Sequence, residues 1–383
     1  MARGPETAGV TASPGIPAVP APAICLLGSH EPGYPRNRSV KEAMQTAGFR
    51  VLFAHSQAPF PWRHVILAWR ACKILRREPC VEWIWVTEGG HRLVPWVKLL
   101  ARALGRKVVF DPFLSRYNTR VEDRRLHKPG SFQALICRWQ DWSSTRAADL
   151  LVFDTEEHKD YFYRNYRLRQ PCLILPVGVP ETVFHQQDRL SLRDPYPAGA
   201  AFRVLFYGSY IPLQGAEWIV EAAALLKGET IRFTLVGDGQ TFPATVARAR
   251  ALGLHNLDFV TPVPETDLPA YLAHADLCLG IFGNTAKAAN VVPNKVVQAS
   301  AMGRPILTRD SPAIRRYFRD GVSLALTAPG DARALADALL RLRAQPALLD
   351  SLGGEARKVF EAGFSVTALS RILKDTLGPP ADR

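Results

Sequence analysis

The chain has 383 residues, 47% of them hydrophobic, enough for two ordinary domains with cores of their own. A formal net charge of +13 and a pI near 9.7 ask for an anionic partner. Cys25, Cys72, Cys80, Cys137, Cys172 and Cys278 include no C-x-x-C pair, which argues against a disulfide framework or a zinc site and for reduced thiols in a cytosol.

Residues 1–22 are rich in Pro, Ala and Gly and lack the basic start and unbroken apolar stretch of a signal peptide, so a disordered tail is expected. Ile24 to Leu27 is an apolar run ending at Gly28, then a Gly/Pro-rich loop and a helix from about Ser39 to Ala47. Gly48 ends that helix, and Phe49 to Ala54 is the next strand. Trp62 to Arg77 predicts an amphipathic helix, with Trp62, Val65, Ile66, Trp69 and Cys72 on one face and Arg63, Arg70, Lys73 and Arg77 on another. Such a helix either turns its apolar face into the core or lies on an anionic membrane. Arg70 and Lys73 break its apolar run well short of a membrane span.

Val81 to Val86 as strand, Pro95 to Leu104 as helix and Lys107 to Phe110 as strand repeat the unit, and Leu150 to Phe153 and Leu173 to Leu175 complete a parallel series. The polar segment from His185 holds a linker at 191–200, separating residues 23–190 from residues 201–383. The pattern then restarts with strands Arg203 to Tyr207, Ile231 to Val236, Asp258 to Val260, Leu277 to Ile281, Pro305 to Thr308 and Ser323 to Leu326. Helices Asp331 to Leu342 and Ala347 to Phe360 follow, and the last helix is expected to pack back on the first domain. Alternating strands and helices in two halves predict an α/β protein of two Rossmann-like, doubly wound domains, with ligand in the cleft between them at the carboxyl ends of the strands.

Several strand-end groups are candidates for chemistry. Asn294 is read as the cap of a helix whose first turn carries Lys295, and a helix N-terminus with a cation is a cradle for a diphosphate. Ala299, Ala301 and Gly303 keep that helix thin. In the loop Gly33 to Asn37, glycine lets backbone approach a phosphate and Arg36 can fork onto it or onto an acidic acceptor, with Tyr34 and Asn37 beside it in the cleft. Asp111 follows a strand directly and can orient an acceptor hydroxyl or take its proton, with Ser115 and Arg116 on the next loop. His91, after Glu88, is another strand-end candidate, and Lys287 a further cation. Asp123 with Arg124 and Arg125 reads as a structural ion pair or an acceptor contact. Gly237 to Gly239 is no dinucleotide fingerprint, lacking a third glycine and a later acid. Nothing stands in a metal-ligand spacing, and basic and aromatic residues do not cluster on a recognisable nucleic-acid module, so neither metal nor nucleic acid is expected.

The segments FYGSYIPLQG (Phe206 to Gly215), IRFTLVGDGQ (Ile231 to Gln240), LPAYLAHADLCLGIF (Leu268 to Phe282) and VVPNKVVQASAMGRPI (Val291 to Ile306) make the second half similar to a family-4 retaining glycosyltransferase of the two-Rossmann GT-B type. GYPRNRS (Gly33 to Ser39), FDPFLSRYNTRVEDRRL (Phe110 to Leu126) and ADLLVFDTEEHKDYF (Ala148 to Phe162) resemble a subset of that family. The resemblance implies transfer of a sugar from a nucleotide-sugar donor, as substrate and without a cofactor, to a glycan, lipid-linked or small-molecule acceptor, with retention. It implies a cytoplasmic protein, peripheral on the inner face of the membrane if the basic helix lies there. It places donor contacts at Gly208, Ser209, Gln214, Gly237, Val263, Lys287, Asn290, Asn294, Lys295 and Gln298, the last on the ribose. Asp111, Lys295 and Arg36 face the reacting cleft.

Two departures stand out. The family's pair of glutamates eight positions apart is here Asn290 and Gln298, and its two diphosphate-binding cations are Ser209 and Gln214. A leaving phosphate gathers negative charge, so Lys295 is the expected replacement. The same departures keep open a catalytically silent subunit that binds nucleotide or lipid and supports a partner.

Overall fold

The computed structural model describes residues 22–28, 34–59, 62–197, 199 and 201–378. The expected tail up to residue 21, Gly33 and part of the linker lie outside them. Two six-stranded parallel sheets form the molecule. The first orders β1 (Ala23–Gly28), β2 (Arg50–His55), β3 (Val81–Val86), β4 (Lys107–Phe110), β5 (Leu150–Phe153) and β6 (Cys172–Ile174) as β2-β1-β3-β4-β5-β6. The second orders β7 (Phe202–Gly208), β8 (Ile231–Gly237), β9 (Leu257–Val260), β10 (Leu277–Leu279), β11 (Ile306–Arg309) and β12 (Ala325–Thr327) as β12-β11-β10-β7-β8-β9. The expected pair of doubly wound α/β sheets is what forms. Each sheet reverses its winding once, beside β1 in the first and between β7 and β10 in the second, and a reversal opens a crevice at the strands' carboxyl ends.

Strand sequences explain the layers. AICLLG in β1 is buried throughout, as a central parallel strand with helices on both faces requires. The first helix starts earlier than expected, at Pro35, because proline suits the first helical position. The helix Val366–Leu377 crosses back from the second half. Leu369, Leu373 and Leu377 share a core with Val40, Ala43 and Met44 of the helix Pro35–Thr46. Residues 185–197 are no loose tether: Phe184 and Tyr196 sit in the second domain's core, and the Tyr196 hydroxyl donates to the Tyr271 carbonyl at 2.9 Å.

The helix Trp62–Arg77 forms at the expected bounds but faces the other way from a core-packed Trp stripe. Leu67, Ala71 and Leu75, spaced four apart, are its buried residues, whereas Trp62, Val65 and Trp69 are about two-thirds exposed, at 65%, 59% and 61%. Leucine and alanine, neither aromatic nor branched at Cβ, let the helix approach β1 and β2 where the Trp stripe would not.

A cavity in the shared core tests the crossover. Leu373→Ala should cost about 2–5 kcal/mol. Because this residue packs on the first domain, urea unfolding followed through first-domain tryptophans should shift with it; a shift confined to the second domain would contradict the packing.

Candidate functional site

The two crevices face each other and enclose a cleft of about 370 Å³. Glycines build its second-domain side. A Cβ on Gly237 would fall within 3.0 Å of the Gly208 carbonyl oxygen, and one on Gly239 or Gly215 equally close to the backbone of Ser209 or Gly283. Gly215, Gly237 and Gly239 also have positive φ (64°, 125° and 150°), so only glycine brings these strand-end loops together. Arg309 on β11 supports the far loop by donating to the Gly283 carbonyl.

The helix Asn294–Ala301 points into this cleft. Asn294 does not cap it, contrary to the sequence reading: Pro293 holds the cap position in extended backbone (ψ 141°) and no side chain caps the end. The Val296 and Val297 amides turn back to the Pro293 carbonyl at 2.9 and 3.3 Å, and the first helical amides, Asn294 and Lys295, have no carbonyl a turn earlier to meet. Lys295 is buried, its Nζ 4.0 Å from the centre of the Phe206 ring and without a hydrogen-bond partner among the described residues. Burial pushes its pKa well below the usual lysine value. Gln214 Oε1, also buried and unpartnered, and Lys295 Nζ both occupy the space a side chain at Gly208 would take. Gln214 Nε2 donates to Ser209 Oγ at 3.3 Å, so the two residues standing in for the family's cations hold each other. The Tyr207 hydroxyl donates to Gln298 Oε1 at 2.9 Å, leaving the Gln298 amide NH₂ toward the cleft.

Other expected donor residues lie elsewhere. Lys287 does not point a free charge at the donor: its Nζ donates to Thr119 Oγ1 of the first domain at 2.8 Å, and burial lowers its pKa to about 8. It still lines the cleft wall. The Asn290 carbonyl accepts from Thr155 at 2.5 Å, another bond between domains, and its side chain does not line the cleft. Gly237 serves the backbone contact above, and Val263 is half-buried against the second-domain core, outside the cleft lining.

On the first-domain side, Arg36 and Asp111 are turned onto each other. Arg36 Nε donates to Asp111 Oδ2 at 3.0 Å and Nη1 to the Leu175 and Pro176 carbonyls at 2.7 and 3.1 Å. Both are almost wholly buried, and neither forms the cleft wall. Burial raises the Asp111 pKa against the lowering pull of Arg36. Ser115, Arg116 and His91 likewise gather behind the wall, on Asp141 of the helix Phe132–Ala147. The Ser115 hydroxyl and the amides of Arg116 and Tyr117 donate to this carboxylate at 2.7, 2.8 and 3.0 Å, and His91 Nε2 lies 3.3 Å away. Burial alone would raise Asp141, but His91 and these donors hold it below the usual carboxylate value. Asn37 Nδ2 donates to Glu88 Oε1 at 3.1 Å, and burial with the nearby Asp111 charge lifts Glu88 to about 7.

Of the residues that do form the wall, Tyr34 is expected in the cleft and Arg124 reads as an ion pair or acceptor contact, whereas Phe113 and Asp154 were passed over in the sequence. Asp154 follows β5 as Asp111 follows β4, so strand-end position was a usable signal; its Oδ1 lies 2.8 Å from His158 Nδ1. Phe113 carried none. It has φ 54°, rare for an aromatic residue, with its ring beneath Arg36 (5.5 Å) and edge-on to Tyr34 (6.0 Å). Asp123 is a domain contact, accepting from Thr285 at 3.1 Å.

Comparison with known proteins fits this geometry. Residues 201–345 match the family model described as "Glycosyl transferases group 1". An α-D-kanosaminyltransferase of Streptomyces kanamyceticus is 24% identical over 319 residues, 80% of each chain. A D-inositol 3-phosphate glycosyltransferase of Nocardioides sp. is 29% identical over 236 residues, 55% of this chain and 49% of its own. In structure the chain is similar to HepE of Anabaena in complex with UDP-glucose, with TM-score 0.70 at 16% identity over 93% of this chain and 99% of the other. It is equally similar to sucrose-phosphate synthase of Thermosynechococcus elongatus, with TM-score 0.70 at 18% identity over 92% and 97%. The fold is GT-B, and its second domain carries the sequence pattern of group 1 glycosyl transferases.

Lys295 makes a two-part prediction. An anion beside it raises its depressed pKa, so binding of a nucleoside diphosphate should take up protons and weaken as pH rises from the lysine's lowered value toward its ordinary 10.5. Titration calorimetry in two buffers of different ionisation enthalpy should show that uptake, and Lys295→Met should abolish it while weakening binding by about 2–3 kcal/mol. Unchanged proton uptake in the variant would remove Lys295 from the anion site.

Proposed function

We propose that the protein is a retaining glycosyltransferase that moves a sugar from a nucleoside-diphosphate sugar to an acceptor held by the first domain, in the cytosol. One observation carries the reading: a buried, unpartnered lysine beside two free helix amides at the switch point of the second sheet. That set of groups suits a diphosphate and little else. The Gln298 amide would bind the ribose, held in place by Tyr207.

In the reaction the bond from the anomeric carbon to the diphosphate oxygen breaks and a bond from that carbon to an acceptor oxygen forms. Negative charge grows on the departing diphosphate, where the Lys295 ammonium and the amides stabilise it without a metal or cofactor. Retention, the outcome the resemblance implies, puts acceptor and leaving group on one face of the sugar, so the departing phosphate oxygen can take the acceptor's proton. Asp154, on the cleft wall, would orient the acceptor hydroxyl. Arg36 and Asp111 act as positioning residues behind that wall, bracing Phe113 and the β6 end.

Titration with UDP, GDP, ADP and dTDP should show selective binding of one nucleotide, and the matching sugar nucleotides should be turned over. Release of free sugar to water in the absence of acceptor gives the readout. Binding without turnover of any donor would favour the silent subunit, and binding of none would sink the donor site.

A further inference from the structure

We infer that the outward faces of the helices Trp62–Arg77, Val94–Ala103 and Phe132–Ala147 form one docking surface for an anionic lipid bilayer. The inference stands apart from the reaction: it uses no residue of the cleft. Among the described residues fourteen large hydrophobic side chains are exposed, and nine of them lie on these three helices. Five are tryptophans, Trp62, Trp69, Trp96, Trp139 and Trp142, at 43% to 70% exposure. Taking ~200 Å² for one such side chain, they show about 600 Å², at the upper end of what a monomer leaves to water without a use for it.

The three helices meet at one groove of about 780 Å³, lined by His64 of the first, Trp96 of the second and Trp139, Trp142 and Arg146 of the third, with Arg92; Trp62, Val65 and Trp69 lie on the first helix outside that groove. Charge selects the occupant. The three helices carry nine Lys and Arg residues and a single acid, Asp141, which is wholly buried. Lys73 lies over the Trp69 ring at 5.2 Å and Arg146 over Trp142 at 5.3 Å. Tryptophans mixed with cations and free of exposed carboxylates match the headgroup layer of an anionic membrane, where the ring sits at the acyl boundary and the cation meets phosphate. No helix of the described residues is long and apolar enough to cross a membrane, so the contact is with the surface.

The test is co-sedimentation with vesicles of equal phosphatidylglycerol and phosphatidylcholine, against phosphatidylcholine alone, near physiological salt. The full chain should pellet with the first and weakly with the second. Trp69→Ala/Trp96→Ala/Trp139→Ala and Lys73→Glu/Arg77→Glu/Arg138→Glu should each lower the partition constant by at least ~30-fold. Both variants alter exposed positions, and nucleotide titration on the same samples reports their fold and the donor site separately. Failure of the wild type to bind anionic vesicles would overturn the inference, as would equal binding by both variants. So would a wild-type dimer in light scattering that the Trp variant splits without any vesicle binding, which would give the face to a second copy of the chain.

Discussion

A buried ammonium with no carboxylate beside it is the constraint on which the cleft turns. Removing a charge from water is expensive unless an opposite charge or several hydrogen bonds replace the hydration. The fold supplies Lys295 with the face of Phe206 and little more. The glycine contacts at Gly208, Gly237, Gly215 and Gly283 bring the loops into backbone contact, and the one acid of these loops, Asp238, is exposed and accepts from the Gly239 amide instead of meeting the lysine. The site is therefore kept short of one anion, and an anion that arrives there favours the protonated lysine over the neutral one. Gln214 Oε1, equally unpartnered among the described residues, is an acceptor and would take a donor such as a hydroxyl and not the anion.

The opposite wall differs in that each buried charge there faces an opposite one or several donors. Asp141 gathers four direct donors, Tyr166 with the three around Ser115, and Arg36 and Asp111 close on each other while Arg36 Nη2 and Asp111 Oδ1 stay unpartnered among the described residues. A network such as that of Asp141 rigidifies a loop, and here the loop after β4 is held so that Phe113 adopts its strained backbone. The wall offers few groups that are not already engaged, which directs attention to Asp154 and Arg124 for contact with an acceptor. Thr119, Asp123 and Thr155 reach across to Lys287, Thr285 and Asn290, so bonds between the domains shut one side of the cleft. Lys287 donates to Thr119 across that contact, and its burial there lowers its pKa to about 8.

Strands were legible because each is a short apolar run, and β3, β4 and β5 fall at the bounds their residues suggest. Lys295 was legible because a basic residue in a first helical turn has a physical use. Arg36 and His91 look alike in sequence to groups that meet a ligand. Only the fold reveals partners 75 and 50 residues away in the chain, Asp111 and Asp141. Asn294 looked like a cap because asparagine often is one, yet Pro293 already supplies the extended backbone the helix entry needs. The return of the last helix to the first domain is expected from the sequence, but that Leu369, Leu373 and Leu377 meet Val40, Ala43 and Met44 there depends on which apolar face is left uncovered, and no local pattern encodes that.

The net charge of +13 connects these parts. In the proposed function one lysine, Lys295, serves the diphosphate, and the next candidates, Lys287 and Arg36, are tied into the frame. The donor cleft thus accounts for little of the basic excess. Nine cations stand instead on three helices of the first domain, among tryptophans that the core does not take in. The buried stripe Leu67, Ala71 and Leu75 shows that the Trp62–Arg77 helix had a core face available and used it, so its exposed tryptophans are no failure of packing. Helices antiparallel to the strands start at the cleft end, which sets Trp62 and Trp96 nearer the acceptor loops than the far edge of the sheet. A surface that holds the protein against a bilayer there would bring the first-domain wall, and not the nucleotide cradle, toward whatever the membrane presents.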